Sequence, residues 1–395
     1  MIINTDLHVH SRYSSATSKN MGLREMSEGA KKKGVQLMGT GDCFQKYWLE
    51  EIKKLEEDRG IFFYNDTRMA LTTEVEDRDR VHHLLIFPDT DSVEAMRSEL
   101  EPHSPSIYTD GRPRISMSGE EIAQVAEKYS VLIGPCHAFT PWTALYAYFN
   151  SISDCYKGMT DYVSFLELGL SADTDYADRI PELAKLTFLT NSDAHSSGPD
   201  RIAREFNRME LRYISFRDLK ESILRMNGNR VILNVGLPPQ EGKYNESACI
   251  RCFKHYTLEE ATNAKWRCSC GGLVKKGVID RVSELAIYEK PQHPEHRPPY
   301  LHLIPLSEII SKVLPDKKEA FLEWEKLVKA FGSEIRVLVD ARMDEIRETT
   351  GSGVADAIRS FRDGEIKIVP GGGGAYGRLE ITRKDRRGQR SLTDF

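Results

Sequence analysis

Asp6-Leu7-His8-Val9-His10 closes the apolar run that opens the chain, and Asn191-Ser192-Asp193-Ala194-His195 follows a second such run, Leu186 to Thr190. In an extended strand alternate side chains share a face, so His8 and His10 point the same way, and so do Asp193 and His195. Imidazole and carboxylate groups presented like this suit a cluster of divalent ions, which activates water at neutral pH and neutralises phosphate oxygens. A second constellation, Cys249-x2-Cys252 with Cys268-x-Cys270, offers four thiolates from two tight turns with Gly271 and Gly272 behind them. That is the ligand set of one structural zinc. The rival, two disulfides, needs an oxidising compartment. Cys43, Cys136 and Cys155 are scattered, and Cys43 and Cys136, though adjacent to candidate ligands, read as small buried residues rather than nucleophiles.

These groups need elements to hold them. Strand patterns at 2–8, 35–38, 69–73, 131–134, 163–168 and 188–190 alternate with helical patterns at 23–33, 48–57, 119–129 and 216–226, a β/α repeat of barrel type. Polar residues fall just past the strands: Asp6, His8, His10, Asp42, Glu74, His137, Glu167, Asp193 and His195. In an α/β barrel the active site gathers at the carboxyl ends of the strands. His83 departs from this order because it begins the run 82–87; a return antiparallel to 69–73 through the turn Asp77–Arg80 would bring that start beside Glu74. Glu76 shares a strand face with Glu74 and is an alternative to it. Taken singly, Asp42 also reads as a cap for a helix near Gln45.

The chain has 395 residues, 40% apolar and 29% charged, the composition of an ordinary globular protein of two or three domains. No signal-peptide pattern is visible, and no apolar run approaches the roughly 18 residues that cross a bilayer, so a cytoplasmic location without membrane contact is expected. A net charge of -5 argues against a generally basic nucleic-acid binder and leaves room for a local basic patch. The barrel pattern covers 1–235, and Gly236-Leu237-Pro238-Pro239 links it to a small zinc-binding domain over 243–285. There Arg251, Lys254, Lys265, Arg267, Lys275 and Lys276 surround the cysteines, a cationic skin that suits a phosphate backbone as well as a solvated structural plug. Residues 291–300, rich in proline, form an extended connector. Apolar residues at helical spacing over 306–314 and 317–331 predict a C-terminal helical domain, 286–388. Glycine turns at Gly351-Ser352-Gly353 and Gly371 to Gly374 carry bare amides able to bind phosphate, while an ordinary turn explains either one taken alone. Neither has the Gly-Lys-Ser/Thr of a nucleotide-binding loop. With Arg378, Arg383, Lys384, Arg386, Arg387 and Arg390 they suggest a DNA-facing end that adds salt-sensitive affinity and little sequence choice.

The Asp-x-His-x-His, the Thr-x-Asp of Thr40-Gly41-Asp42, the glutamate, the His-Leu-Leu, the Pro-x-His and the Ser-Asp-Ala-His together resemble the polymerase-and-histidinol-phosphatase (PHP) family over residues 1–235. The resemblance implies a distorted seven-stranded β/α barrel with two or three divalent ions (zinc, magnesium or manganese) and hydrolysis of phosphate esters. Carried over residue by residue, the implied ligands are His8, His10, Asp42, Glu74, His83, His137, Asp193 and His195. Asp193, His8, His10, Glu74 and His195 would carry catalysis. The family's usual Thr-Asp-His is Thr40-Gly41-Asp42 here, and the further histidine soon after His-x-His is absent.

Barrel, four-cysteine segment, Ile287-Tyr288-Glu289-Lys290-Pro291 and Ile366-Lys367-Ile368-Val369-Pro370-Gly371 resemble, over nearly the whole chain, a DNA repair endonuclease of that family. The resemblance implies cleavage on the 5′ side of hypoxanthine, uracil, xanthine or an abasic site, leaving a 3′-hydroxyl and a 5′-phosphate. A stacked base cannot be inspected, so lesion selection requires extrusion. Tyr13, Phe44, Tyr47, Trp48, Phe139 and Trp142, close after ligand segments, are candidates to contact the extruded nucleotide. The last seven residues, 389–395, resemble the box by which repair proteins dock on the sliding clamp, with Gln389, Leu392 and Phe395 as its key positions and a helical turn expected there. Two other readings use the same residues: a phosphatase of small phosphate monoesters, and a DNA-binding protein with an inactive barrel.

Overall fold

The computed structural model describes residues 1–384 and 390–392, with side chains to residue 379. Eleven strands build the barrel region: β1 (Ile2–Asp6), β2 (Leu37–Gly39), β3 (Glu56–Asp58), β4 (Ile61–Tyr64), β5 (Thr67–Glu76), β6 (His82–Phe87), β7 (Leu132–Pro135), β8 (Phe165–Glu167), β9 (Thr187–Leu189), β10 (Phe206–Glu210) and β11 (Arg230–Gly236). β1, β2 and β5 run parallel, β6 returns antiparallel to β5, β7 is antiparallel to β6, and β8 pairs parallel with β9. Gly134 lies against Phe165, and a bridge between Val9 and Ala194 closes the ring. This is the expected distorted α/β barrel, seven strands around. Because β6 is inverted, its first residue and the last residues of the others share one rim.

Four strands have no counterpart in the sequence reading. β3 and β4 form a hairpin on β5, and β10 and β11 extend the sheet beyond β1. The hairpin also explains a short helix: the pattern over 48–57 yields only Lys46–Ile52, because Glu56–Asp58 is drawn into pairing with β4. The first helix, Leu23–Lys33, forms as expected. It buries Leu23, Met26, Ala30 and Lys33 on one stripe and stops at Gly34, whose φ of 91° lets its N–H reach the Ala30 carbonyl.

Beyond the barrel, Ala248–Cys249 pairs with Val274–Lys275 across a short helix, Leu258–Asn263, which opens on a Thr257–Glu260 capping box. Tyr300–His302 then joins the barrel sheet parallel to β11. Helices Leu306–Ser311, Lys317–Phe331, Met343–Thr350 and Ser352–Arg362 follow, burying Ile309, Ile310, Trp324, Leu327, Ile346, Ile358 and Phe361. One fully buried ion pair ties this end to the barrel. Lys33 Nζ lies 2.6 Å from Glu334 Oε1, and Glu334 also accepts from Leu306 N and Trp324 Nε1.

One open alternative is resolved here and one expectation changes. The glycine loop is no phosphate cradle: the amides of Gly371, Gly374 and Gly377 donate to the carbonyls of Gln240, Lys243 and Glu241, and Gly372 pairs with Ala375. A Cβ at Gly373 would sit 2.4 Å from the Cys249 carbonyl, so the glycines serve close approach to the zinc segment. At the tail, Arg390–Leu392 pairs as strand with Arg378–Lys384, where a helical turn was expected, because pairing satisfies its backbone groups. Gln389 and Phe395 lie outside the described residues. No described helix is long and apolar enough to cross a membrane.

Candidate metal centre

At the common rim, His8 and His10 leave β1 with both Nε2 atoms buried and without a hydrogen-bond partner, and Asp193 Oδ1 is likewise unpartnered. The three converge: Asp193 Oδ1 lies 3.1 Å from His10 Nε2 and 3.8 Å from His8 Nε2. His195 adds its Nε2 at 3.3 Å from the same oxygen, with its Nδ1 at 2.8 Å from Thr17 Oγ1. Ligands about 2.0–2.2 Å from one ion lie roughly 3 to 3.6 Å apart, so this donor set fits a divalent cation.

Glu74 stands between this group and a second one. Its Oε2 is 3.3 Å from His10 Nε2, and its Oε1 is 3.1 Å from His137 Nε2 and 2.5 Å from His82 Nδ1. Cys136 Sγ lies within 4.8 Å of the donor atoms of His8 and Glu74. A carboxylate with one oxygen toward each cluster suits an arrangement of more than one ion.

The far nitrogens of the first pair are held by carboxylates. His8 Nδ1 is 2.9 Å from Glu167 Oε2, and His10 Nδ1 is 3.0 Å from Asp42 Oδ1. These contacts fix tautomer and ring orientation and raise basicity at Nε2. Asp42 therefore sits behind His10, where the sequence reading had it as a ligand. Its other oxygen accepts from Ser11 N and Oγ, so neither oxygen is free to face the cluster. Gly41 precedes it because a Cβ there would be 2.1 Å from the Val9 carbonyl. Asp42, His137 and Asp193 all have left-handed backbones, with φ of 51°, 28° and 48°. Such strain is sustained where the surroundings over-determine a residue, as at functional sites.

His83 also departs from the expectation. In the β5–β6 pairing Glu76 faces His82 and Val75 faces His83, so His82 shares the face of Glu74 and Glu76 while His83 points to the other side. There it is buried between Asp77 Oδ2 at 3.0 Å and Tyr156 Oη at 2.6 Å. The register of the hairpin, which the residue types leave open, decides between the two histidines. Glu74 rather than Glu76 meets the histidines of both clusters; Glu76 lies 3.3 Å from His82 and turns its other oxygen to Arg114 Nε, at 3.4 Å.

The charges are strongly coupled. Burial alone would push Glu74 and Asp193 up, but His82, His10 and His137 around Glu74, and His10 and His195 around Asp193, hold both well below the usual carboxylate range. Burial likewise opposes charge on His8 and His10, yet Glu167 and Asp42 raise both. Sequence reasoning missed Arg112, whose Nη1 is 3.3 Å from Glu74 Oε2; it comes from an irregular loop with no pattern to flag it. It also missed Asn191, which accepts from Leu7 N and donates to Glu167, and so ties the two ligand segments together.

Among the aromatic candidates, Phe44 and Trp48 are wholly buried, Trp48 donating its indole N–H to the carbonyls of Thr40 and Gly41, and Phe139 is buried on Tyr146. These three belong to the core, because their rings turn inward beneath the rim. Tyr13 is half-buried and donates to Glu51; Tyr47 and Trp142 are exposed. The four cysteines meet, with Cys249 and Cys270 sulfurs 3.5 Å apart and Cys252 and Cys268 sulfurs 3.5 Å apart. All four sulfurs lie within 4.8 Å of one another, a separation suited to one tetrahedral zinc.

Comparison with solved structures decides the family. The lesion-specific endonuclease PfuEndoQ from Pyrococcus furiosus superimposes with a TM-score of 0.94 at 45% identity, over 97% of this chain and 96% of that one. The chain belongs to the endonuclease Q family. A second endonuclease Q structure, a complex with a 27-mer duplex carrying an abasic lesion at the active site, matches with a TM-score of 0.91 at 45% identity over 97% of this chain and 98% of that one. Family membership makes the chain an endonuclease, a hydrolase by reaction type; the second family member is solved on duplex DNA. Among curated relatives, YqxK of Bacillus subtilis is 30% identical over 96% of this chain and 99% of its own length. MJ0043 of Methanocaldococcus jannaschii is 47% identical over 64% of this chain, a match that spans 32% of that relative's length. The MJ0043 C-terminal domain family matches residues 305–365, the helical part of this endonuclease Q chain.

Proposed function

We propose that the chain hydrolyses the DNA phosphodiester on the 5′ side of an abasic site or a deaminated base (hypoxanthine, uracil or xanthine), leaving a 3′-hydroxyl and a 5′-phosphate. The observation that carries this reading is the convergence of the unpartnered His8 Nε2, His10 Nε2 and Asp193 Oδ1, with Glu74 beside both histidines, in a chain whose family includes a member solved on abasic DNA. His8, His10, Asp193, His195, Glu74, His137 and His82 would hold two or three ions. When bound, such ions supply activation of water and neutralisation of phosphate charge. Glu167 and Asp42 orient the first two imidazoles. Arg112 directs a permanent cation toward the same rim and balances charge on a bound phosphate. The exposed Trp142 and Tyr47, with the half-buried Tyr13, are the remaining candidates to stack beside an extruded nucleotide. The thiolates of Cys249, Cys252, Cys268 and Cys270 would hold the structural zinc.

The test incubates labelled duplexes carrying an abasic site, uracil, inosine or no lesion with magnesium, manganese or zinc, beside Asp193→Ala. Lesion-dependent nicks on the 5′ side, lost in the variant, are expected. Equal nicking of the undamaged duplex removes the lesion reading, and release of phosphate from p-nitrophenyl phosphate without any nicking moves the chain to small monoesters. The tail around Gln389, Leu392 and Phe395 would dock on a sliding clamp, and deletion of 389–395 should abolish clamp binding while nicking persists.

A further inference from the structure

We infer that a strip of alternating lysine and aromatic side chains, where the barrel, the zinc segment and the glycine loop meet, binds the DNA sugar-phosphate backbone away from the cleaved bond. The inference rests on the DNA-cleaving reading above and assigns that reaction a second point of contact.

The strip joins two contact groups through the adjacent residues Lys243 and Tyr244. Lys275 Nζ lies 4.4 Å from the centroid of Trp142, Trp142 meets Tyr244 edge to face at 4.6 Å, and the neighbouring Lys243 sets its Nζ 4.5 Å from the centroid of Tyr376. Three parts of the chain distant in sequence supply these residues. The glycine loop fixes their arrangement, since Gly374 N donates to the Lys243 carbonyl and Gly371 N to that of Gln240. Trp142 is 43% exposed and Tyr376 69% exposed, so both side chains are open to solvent in part.

The charge pattern selects the ligand. Most cations nearby already have partners: Lys276 pairs with Glu284, and Arg281 binds Glu284, the Tyr146 and Phe149 carbonyls and Asn150. Lys275 and Lys243 differ. Among the described residues neither has a carboxylate within ion-pair distance, and Lys275 is half-buried, which lowers its affinity for a proton. A half-buried ammonium resting on an indole and lacking a counter-ion is costly alone and suits an incoming anion. Lysines spaced between partly exposed aromatic rings match a polynucleotide, whose phosphates take the ammonium groups and whose sugars or bases take the rings.

Position makes that polynucleotide the substrate strand. Trp142 ends the loop that starts at His137, and Thr140 Oγ1 spans the two, 3.3 Å from His137 Nδ1 and donating to the Trp142 carbonyl. Beside Lys275 a cleft of about 380 Å³, lined by Phe139, Thr140, Lys276 and Arg281, leaves room for the strand to pass. The six cationic residues noted in the sequence around the cysteines thus divide, and Lys275 is one that faces this junction.

The test measures binding of a fluorescent abasic duplex to Asp193→Asn protein, which leaves the DNA uncut, with and without Lys243→Gln and Lys275→Gln together. Each lost phosphate contact lowers the slope of log affinity against log salt by about 0.9. The double substitution should lower the slope by about 2 and weaken binding about tenfold or more at 50 mM salt, and Lys→Arg at both positions should restore both values. An unchanged slope and affinity overturn the inference. A parent protein that binds no DNA and a wild type that nicks none overturn the endonuclease reading and this inference with it, so the two failures are told apart.

Discussion

Each imidazole in the centre has one nitrogen toward the cluster and the other toward a partner that sets its tautomer. For His8 and His10 that partner is a carboxylate, Glu167 or Asp42. Loss of such partners commonly costs 10–100-fold in metal affinity or activity. Glu167→Gln and Asp42→Asn should therefore each lower metal retention after dialysis and nicking rate by about 10–100-fold while the far-ultraviolet spectrum stays native. His83→Gln should do the reverse. It breaks the Asp77–His83–Tyr156 chain, destabilises the fold by about 1–3 kcal/mol in urea titration, and leaves metal content unchanged. Metal loss from His83→Gln matching that from Glu167→Gln would contradict the division of His82 and His83 between two faces.

Two elements explain most of what the patterns could and could not reveal. The hairpin Thr67–Glu76 with His82–Phe87 was legible, because an antiparallel return explains a histidine that starts a strand. Which of two adjacent histidines faces Glu74 depends on register, and a shift of one residue exchanges the two faces. The zinc segment was legible from spacing alone, since paired cysteines on tight turns leave few geometries. Its stability should depend on the ion: Cys268→Ser is expected to lower zinc content by about one equivalent and to expose Leu258–Asn263 and its flanks to protease, with the barrel resistant. Equal zinc content in the variant would remove the assignment. The terminal glycine loop stayed open between two readings because bare amides look alike in sequence whether they await phosphate or a neighbouring carbonyl.

Across the whole molecule, the C-terminal helices are joined to the barrel by the buried Lys33–Glu334 pair. Glu334→Ala would leave an uncompensated buried ammonium and is expected to destabilise the protein by about 3–5 kcal/mol, seen as a lowered urea midpoint. A second buried group makes stability depend on pH. Burial pushes the Glu205 carboxyl up from 4.5 to about 8, against the pull of its hydrogen bond from Leu237 N. Between those values the unfolded chain has released the proton that the folded chain retains, so stability falls as pH rises through that window. Glu205→Gln removes this dependence. Its stability relative to the parent should grow by a few kcal/mol, on the order of 1.4 kcal/mol per pH unit, between pH 5 and pH 8. A constant difference across that range would contradict the shift.

The sequence by itself determined the barrel, the zinc segment and the identity of most groups at the rim, because strand alternation and ligand spacing are local and leave residue types as their record. Only the tertiary structure decided which carboxylates face the cluster and which stand behind it, that His82 replaces His83, that Phe44, Trp48 and Phe139 belong to the core, that Arg112 and Asn191 reach the rim, and that Lys275 lies on Trp142. These depend on register, on loop paths and on contacts between segments far apart in the chain, and no periodicity encodes them.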